Sequence, residues 1–147
     1  MTAARTLRSA AALAEAGLIA PGRLAALEAV AARYAVAITP DMAELIDPAN
    51  QSDPIGRQFL PSEAELLESL GEVADPIGDA AHSPVEGIVH RYPDRVLLKP
   101  THTCAVYCRF CFRREQVGQG DGLLAPAALD RAFAYIEQHT EVWEVIV

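Results

Sequence analysis

The 147-residue chain has no uninterrupted apolar run of the roughly 20 residues that a membrane-spanning helix needs. Its alanine-rich N-terminal stretch is interrupted by Glu15, which argues against a secretory signal. The arginines, serines and few acids of residues 1–16 leave a transit peptide as an alternative, although an N-terminal surface helix is favoured. Because 51% of the residues are hydrophobic, the chain can bury the core of about one domain. We therefore expect a globular protein that does not enter a membrane.

Cysteine and lysine are also scarce. Cys104, Cys108 and Cys111 are the only cysteines, and Lys99 is the only lysine. An odd number of cysteines leaves one thiol unpaired, and such short spacings suit metal ligation better than a disulfide framework. Together with the missing export signal, the thiols predict a reducing, cytoplasmic location.

Charge is unevenly distributed along the chain, whose net charge is −8. Between His90 and Arg114 there are six cations and one acid, Asp94, so this segment carries +5 and the remainder carries −13. A basic segment in an acidic chain favours an electropositive pocket for anionic groups, and a nucleic-acid surface is the alternative. The cations do not follow a long helical face, and the rest of the chain would repel phosphates. We therefore expect no nucleic-acid partner.

Apolar residues at helical spacing predict two helices near the N-terminus. The patterns cover about residues 7–18 and 24–34, and Pro21 lies where a first-turn proline is tolerated. A further short helix is expected after Pro40. The N-terminal region is thus predicted to be helical.

The middle of the chain contains a capping signature and a repeated turn. Ser62 and Glu65 match a capping box, and Gly71 is placed to end the helix that they begin. The tetrapeptide Asp-Pro-Ile-Gly occurs at 53–56 and again at 75–78. A repeat this short does not indicate a solenoid, so we expect a turn at each copy.

The second half of the chain is predicted to form a βαβ unit. Aliphatic and β-branched runs at 95–99, after a turn at Pro93, and at 142–147 predict strands, and Pro126 opens a helix between them. The fold class is therefore α/β. Because two parallel strands do not form a stable sheet alone, and because Val147 ends a strand pattern, we expect a truncated front part of a longer protein. The residues expected to share one face of this helix are Leu129, Ala132, Phe133 and Ile136.

The cysteines form a Cys-x3-Cys-x2-Cys motif in the loop after the first predicted strand, where ligands gather in α/β folds. Three thiolates would complete three irons of a four-iron cluster and leave the fourth open to a small molecule. Zinc with His90 or His102 as the fourth ligand is the alternative. Structural zinc usually takes its ligands as paired knuckles, and this chain has no second pair. Catalytic iron–sulfur chemistry is therefore favoured over zinc and over inert thiols.

The motif and its flanks resemble a known family. Cys104-x3-Cys108-Arg-Phe-Cys111 is similar to the cluster loop of the radical S-adenosylmethionine (SAM) superfamily. The stretch His90-Arg-Tyr-Pro-Asp-Arg-Val-Leu-Leu98, continuing to Cys111-Phe-Arg-Arg114, resembles the lysine 2,3-aminomutase family within it. Further similarity lies in Asp53-Pro-Ile55, Phe59-Leu-Pro-Ser62 and His82-Ser-Pro-Val85. The resemblance covers about residues 53–147.

The resemblance implies a fold and an activity. It implies a helical N-terminal region at 1–89, followed at 90–147 by the first βαβ part of a partial (βα) barrel with its cluster loop at 101–125. The implied activity is that of an isomerase, in which a 4Fe–4S cluster reductively cleaves SAM to start a 1,2-amino migration on an amino acid, with lysine as the expected substrate. Pyridoxal 5′-phosphate (PLP) is the third implied cofactor, and it would carry the migrating amino group.

The resemblance also implies roles for individual residues. Cys104, Cys108 and Cys111 would be the cluster ligands. Phe110 would pack near the adenine of SAM, and a role in loop packing is its alternative. Arg113 would pair with the substrate α-carboxylate, which a guanidinium fork suits. Neighbouring Arg114 is interpreted as a surface arginine, and no catalytic residue is assigned.

Arg91, Tyr92 and Arg95 match the family segment that helps to hold PLP. Two guanidinium groups and a phenol can supply several donors to a phosphate dianion. The alternative is a salt bridge with Asp94 at the entry of the strand. Hydrogen-bonded structural roles are expected for the two histidines of this region.

Some features of the family are missing. Its Schiff-base lysine lies far beyond the cysteine loop, so Lys99 is given no such role, and whether PLP binds without it stays open. The Gly-Gly-Asp-Pro-like segment that holds the amino group of SAM is also absent, and the glycine-rich residues 118–122 are interpreted as a flexible connection. We therefore expect an incomplete, inactive portion of the enzyme. A β-lysylation enzyme for a translation factor, or a non-catalytic iron–sulfur or zinc module, are the alternatives.

The implied partners are an amino-acid substrate and a reducing electron donor such as flavodoxin or ferredoxin. No nucleic acid and no membrane is expected as a partner. A homo-oligomeric state is left open.

Overall fold

The computed structural model describes residues 5–67, 69–118, 120 and 122–147, which form two compact units. Unit 1 comprises residues 1–72 and 104–119, and unit 2 comprises residues 73–103 and 120–147. Gln119 and Asp121, within the predicted glycine-rich connection, lie outside the described residues. None of the helices in the described part of the chain is both long and apolar enough to cross a membrane.

Unit 1 is built from short helices, which include the two predicted near the N-terminus and the one predicted after Pro40. The hydroxyl oxygens of Ser9 and Thr39 accept hydrogen bonds from amides of the helices they precede, which satisfies donors that a helix start leaves unpaired. Leu7 and Ile38 exchange backbone hydrogen bonds of 2.8 and 3.0 Å and join the two ends of this region. The helices are α1 (Ala10–Glu15), α2 (Leu24–Arg33), α3 (Pro40–Glu44) and α4 (Gly56–Phe59), with 3₁₀ turns at Pro21–Arg23 and Glu63–Leu66.

The core of unit 1 lies between α1, α2 and the segment that follows α2. Side chains of Val106 and Cys108 pack against this core, so the cysteine loop is part of it. Each buried aliphatic side chain contributes about 1.5–3 kcal/mol relative to an exposed one. The largest fully buried side chains of the unit are those of Leu13, Leu27, Val30, Tyr34 and Ile38.

The predicted capping box is present, but the helix after it is shorter than expected. The Ser62 amide donates to Glu65 Oε1 at 2.8 Å, and the Ala64 amide donates to Ser62 Oγ at 3.4 Å. The segment forms one 3₁₀ turn that ends at Leu66, because Leu67 is already extended at φ −84° and ψ 115°. The prediction that this helix continues to Gly71 is therefore wrong.

Both copies of the repeated tetrapeptide form turns, as predicted, and each uses its aspartate as a cap. Asp53 Oδ2 accepts from the Gly56 amide at 2.5 Å and starts α4. The two carboxylate oxygens of Asp75 accept from the amides of Asp79 and Ala80 at 2.9 and 2.7 Å. The same sequence thus caps two different backbone segments.

Unit 2 contains a three-stranded sheet in the order β1-β2-β3, formed by β1 (Ile88–Tyr92), β2 (Arg95–Leu98) and β3 (Glu144–Ile146). β1 and β2 are antiparallel, whereas β2 and β3 are parallel with Val96 opposite Val145. Helix α5 (Pro126–Gln138) connects the parallel pair. The βαβ prediction and the α/β class are confirmed, and the hairpin strand β1 is an element that the sequence analysis did not predict.

The core of unit 2 lies between the sheet and α5. Ile88, Val96 and Ala132 are buried there, with Leu129 and Ile136 packed against them. Phe133, which was predicted to share one helix face with these residues, differs from them because its side chain is 47% exposed. Position 133 follows buried Ala132 directly and is therefore turned about 100° away from it around the helix axis.

Candidate functional site

The three cysteines lie in the loop that follows β2, and none forms a disulfide. Cys104 is exposed, whereas Cys108 and Cys111 are half-buried. The Cys111 amide donates to the Cys108 carbonyl at 3.2 Å, and the Phe110 amide donates to Cys108 Sγ at 3.4 Å. An amide donor stabilises negative charge on sulfur, which is the state in which a thiolate binds metal.

The backbone on both sides of Cys108 is fixed to the helical part of unit 1. The Tyr107 amide donates to the Ala37 carbonyl at 2.9 Å, and the Arg109 amide donates to the Gln58 carbonyl at 2.7 Å. The Tyr107 ring is buried. This part of the loop is therefore held from two directions although it has no regular secondary structure.

The Arg109 guanidinium forms a buried ion pair with Glu65, at 2.6 Å between Nη2 and Oε2. Its Nη1 donates to the Ala35 carbonyl at 2.9 Å. The side-chain exposures are 7% for Arg109 and 12% for Glu65, so solvent screens this pair little. Arg109, the first of the two residues between the half-buried cysteines, therefore points into unit 1.

The donor set of the loop fits an iron–sulfur cluster in its chemistry, because three thiols within eight residues are uncommitted and one already accepts an amide hydrogen bond. Across the described residues, no three His, Cys, Asp or Glu side chains are grouped so that they could hold a metal ion. The loop thus presents the three thiols without gathering them. Among the described residues, no histidine completes such a group for the zinc alternative, and His90 Nδ1 lies 2.7 Å from the Tyr135 hydroxyl.

Arg91, a predicted PLP residue, is oriented by groups within unit 2. Its Nη2 donates to the Ile77 carbonyl at 2.6 Å and lies 3.4 Å from Asp79 Oδ1. Lys99 Nζ lies 3.8 Å from the other oxygen of the same carboxylate. Asp79 is 4% exposed and therefore holds two cations close together from a buried position. Tyr92, the next predicted residue, is 58% exposed.

Arg95 makes the salt bridge that was its alternative assignment. Its Nε and Nη2 donate to the two oxygens of Asp94 at 3.0 and 2.7 Å, and its Nη1 lies 3.2 Å from Glu144 Oε2. Hydrogen bonding to this guanidinium holds the pKa of Asp94 below its usual value. The guanidinium also lies 5.6 Å from the centre of the Trp143 ring. A role in phosphate binding remains a prediction.

Phe110 is exposed on unit 1, whereas the two arginines after the last cysteine are half-buried. Phe110 is 69% exposed and borders an open groove of about 880 Å³. The Arg113 guanidinium lies 4.9 Å from the centre of the Phe112 ring. Arg114, interpreted as a surface residue, lies 4.5 Å from the centre of the buried Tyr34 ring. Burial raises the pKa of that tyrosine.

Sequence reasoning missed three residues that organise these segments. Glu65 was identified as a helix cap, and Tyr107 and Asp79 were given no role. The capping signature did mark Glu65, but its partner Arg109 lies 44 residues away and no local pattern joins them. For Asp79, the preceding Asp-Pro-Ile-Gly turn was the only available signal.

The fold and the site define a mixed α/β chain with a three-thiol loop anchored to a helical unit. No family model matches the chain. It is 41% identical to L-lysine 2,3-aminomutase of Clostridium subterminale over 110 residues, which is 75% of this chain and 26% of that protein. With L-lysine 2,3-aminomutase of Bacillus subtilis (strain 168) the identity is 39% over 75% of this chain and 23% of the relative.

Glutamate 2,3-aminomutase of Clostridioides difficile (strain 630) is 38% identical, over 75% of this chain and 26% of that protein. The chain spans about a quarter of the length of the curated relatives it matches. The resemblance to the lysine 2,3-aminomutase family is confirmed, and these identities are consistent with a partial chain of that family.

Proposed function

We propose that this chain carries the cluster-binding part of a radical SAM amino-acid 2,3-aminomutase. The observation that carries the proposal is the 41% identity to a lysine 2,3-aminomutase over 75% of a chain whose cysteines all lie in one Cys-x3-Cys-x2-Cys loop. We further propose that unit 2 is the first part of a partial barrel, that the protein acts in the cytoplasm, and that a reduced flavodoxin or ferredoxin is the electron donor.

The cysteine loop would bind the cluster and SAM. Cys104, Cys108 and Cys111 would ligate three irons, and the amide bonded to Cys108 Sγ would stabilise the charge on that sulfur. When bound, the cluster would supply the electron that cleaves SAM, and PLP would hold the migrating amino group. Phe110, exposed beside an open groove, would offer its ring to the adenine.

The basic segment would bind the two remaining anionic groups. Arg91, oriented by a carbonyl and a buried carboxylate, would donate to the PLP phosphate together with Tyr92. Arg95 would have to exchange one of its carboxylate partners for the phosphate. Arg113 would pair with the α-carboxylate of the substrate. Relatives are named for lysine and for glutamate, which share this carboxylate, and we propose lysine as the substrate.

Anaerobic reconstitution with iron and sulfide tests the cluster assignment. We expect about four irons per chain, absorption typical of a 4Fe–4S cluster, and an electron paramagnetic resonance (EPR) spectrum of the reduced chain that changes when SAM is added. Cys104→Ser, Cys108→Ser and Cys111→Ser should each lose most of the iron. Ala105→Ser, which places the same side chain at an exposed position of the loop, should keep it.

Two results would overturn the proposal. One is a chain that retains zinc and takes up no iron under these conditions. The other is full iron loading in a chain from which all three cysteines have been removed. An EPR spectrum that does not respond to SAM would reduce the assignment to an iron–sulfur module.

A further inference from the structure

We propose that Glu65 and Arg109 form a buried anchor that positions Cys108 and Cys111, so that Glu65 is a positioning residue of the cysteine loop. What these thiols ligate rests on the proposed function, whereas the anchor itself rests on the contacts in unit 1. The proposal concerns a carboxylate that lies 39 residues before the first cysteine.

All three nitrogens of the Arg109 guanidinium have hydrogen-bond acceptors inside the protein. Its Nε lies 3.2 Å from both oxygens of Glu65, its Nη2 donates to Oε2 at 2.6 Å, and its Nη1 donates to the Ala35 carbonyl at 2.9 Å. Each of the three guanidinium nitrogens therefore has an acceptor. With 7% of the side chain exposed, this arginine is a structural fork rather than a solvated surface cation.

The Glu65 carboxylate accepts hydrogen bonds both from the 3₁₀ turn and from the cysteine loop. Its Oε1 accepts from the Ser62 amide at 2.8 Å and so completes the capping box of the 3₁₀ turn. The same carboxylate binds Arg109 through both oxygens. A shift of the loop away from Glu65 would therefore leave a buried charge unpaired, which is costly. The turn and the loop hold each other in place.

The anchor fixes the backbone next to Cys108 and Cys111, but not the backbone at Cys104. Arg109 follows Cys108 directly and precedes Cys111 by two residues, and the amides of both Arg109 and Cys111 are hydrogen-bonded. Cys104 lies between the His102 amide, which donates to the Gly122 carbonyl, and the anchors at Tyr107 and Arg109, and it is exposed. We infer that the loop has a fixed part with two half-buried thiols and a free part with one, and that Cys104 joins the others when the cluster is assembled.

The same 3₁₀ turn provides a matched control. Glu63 pairs with Arg23, but the Glu63 side chain is 44% exposed and the Arg23 side chain 48%, so water solvates both charges. Glu63→Gln and Glu65→Gln remove one carboxylate charge from neighbouring positions without changing side-chain size. Only the second leaves a buried guanidinium without its counter-ion.

The experiment measures alkylation of each cysteine by iodoacetamide in the metal-free chain, followed by mass spectrometry. In the wild type, Cys108 and Cys111 should react more slowly than Cys104. Glu65→Gln should raise the rates at Cys108 and Cys111 at least about tenfold and leave Cys104 unchanged, because losing a buried partner is worth more than the 1.4 kcal/mol that a factor of ten requires. Glu63→Gln should match the wild type. Equal rates in the two glutamine variants would overturn the proposal.

Cluster loading then tests what the anchor is for. Per folded chain, Glu65→Gln should hold less than half of the wild-type iron, and the EPR signal of the cluster that remains should be shifted or broadened. If the wild type takes up no iron, the proposed function fails while the alkylation result still decides on the anchor. An EPR signal and iron content identical to the wild type would show that Glu65 does not position the ligands.

Circular dichroism shows whether Glu65→Gln folds. If it does not, Arg109→Lys takes its place, because lysine keeps the charge and loses the fork. That variant should be alkylated at Cys108 faster than the wild type and unchanged at Cys104, and a wild-type rate at Cys108 would overturn the proposal.

Discussion

At the scale of single residues, Asp75 fixes the turn that contains Asp79, and Asp79 in turn pairs with two cations. Asp75 binds the amides of Asp79 and Ala80, and this fixes the turn in which Asp79 is buried. Asp79 in turn faces the cations of Arg91 and Lys99. The half-buried Asp75 therefore orients a buried carboxylate, which orients an arginine of the candidate PLP site.

This arrangement predicts a pH dependence of stability. The hydrogen bond from the Ala80 amide, followed by that from Asp79, lowers the pKa of Asp75 in the folded chain. A lowered folded-state pKa contributes stability that is present above the unfolded value of about 3.9 and is lost as the pH falls through the folded value.

Asp75→Ala should therefore unfold at lower urea than the wild type at pH 7, and the gap should close as the pH falls below about 4. Asp130→Ala, a change at an exposed position of α5, should show no such convergence. A gap at Asp75 that stays constant down to pH 2 would contradict the assignment.

At the scale of elements, the cysteine loop depends on close backbone packing rather than on regular structure. Gly118 closes the loop with φ +76°, and a Cβ built there would lie 2.4 Å from Ala35 Cβ and 2.7 Å from Tyr107 Cε2. A glycine is thus required for both its conformation and its size. Gly17 has a similar φ of +73° but open space around it.

The pair separates strain from overpacking. Gly17→Ala should lower the free energy of unfolding by about 1–2 kcal/mol through backbone strain alone, and Gly118→Ala by about 2–4 kcal/mol because overpacking is added. Urea denaturation followed by circular dichroism measures both. Equal losses would show that Tyr107 and Ala35 move aside without cost.

At the scale of the whole molecule, the chain crosses between its two units before and after the cysteine loop. Residues 104–119 share the core of unit 1, although β2 immediately before them belongs to unit 2. The loop should therefore respond to damage in the helical core.

Two matched leucine-to-alanine substitutions test whether the loop depends on the helical core. Leu27→Ala in the core of unit 1 should cost about 2–5 kcal/mol and speed hydrogen exchange of the Tyr107 amide. Leu98→Ala in β2 should affect chiefly the amides of the sheet. If both substitutions speed hydrogen exchange of the Tyr107 amide equally, the loop does not belong to the helical core.

The local patterns of the chain predicted much of its secondary structure. The two N-terminal helices, the capping box, both turns, the βαβ unit and the family resemblance all followed from residues close together in sequence. Where local prediction was wrong, at the helix expected to reach Gly71, the extended backbone at Leu67 decided the outcome.

The groups of the candidate site can be read from the sequence alone, because the three cysteines lie within the basic segment of residues 90–114. How these groups are held depends on the fold. Glu65 meets Arg109 across 44 residues, and Asp79 meets Arg91 and Lys99, because the buried carboxylates of Glu65 and Asp79 need partners and only the fold brings these partners near. Such pairing depends on proximity in space, and no spacing along the chain encodes it.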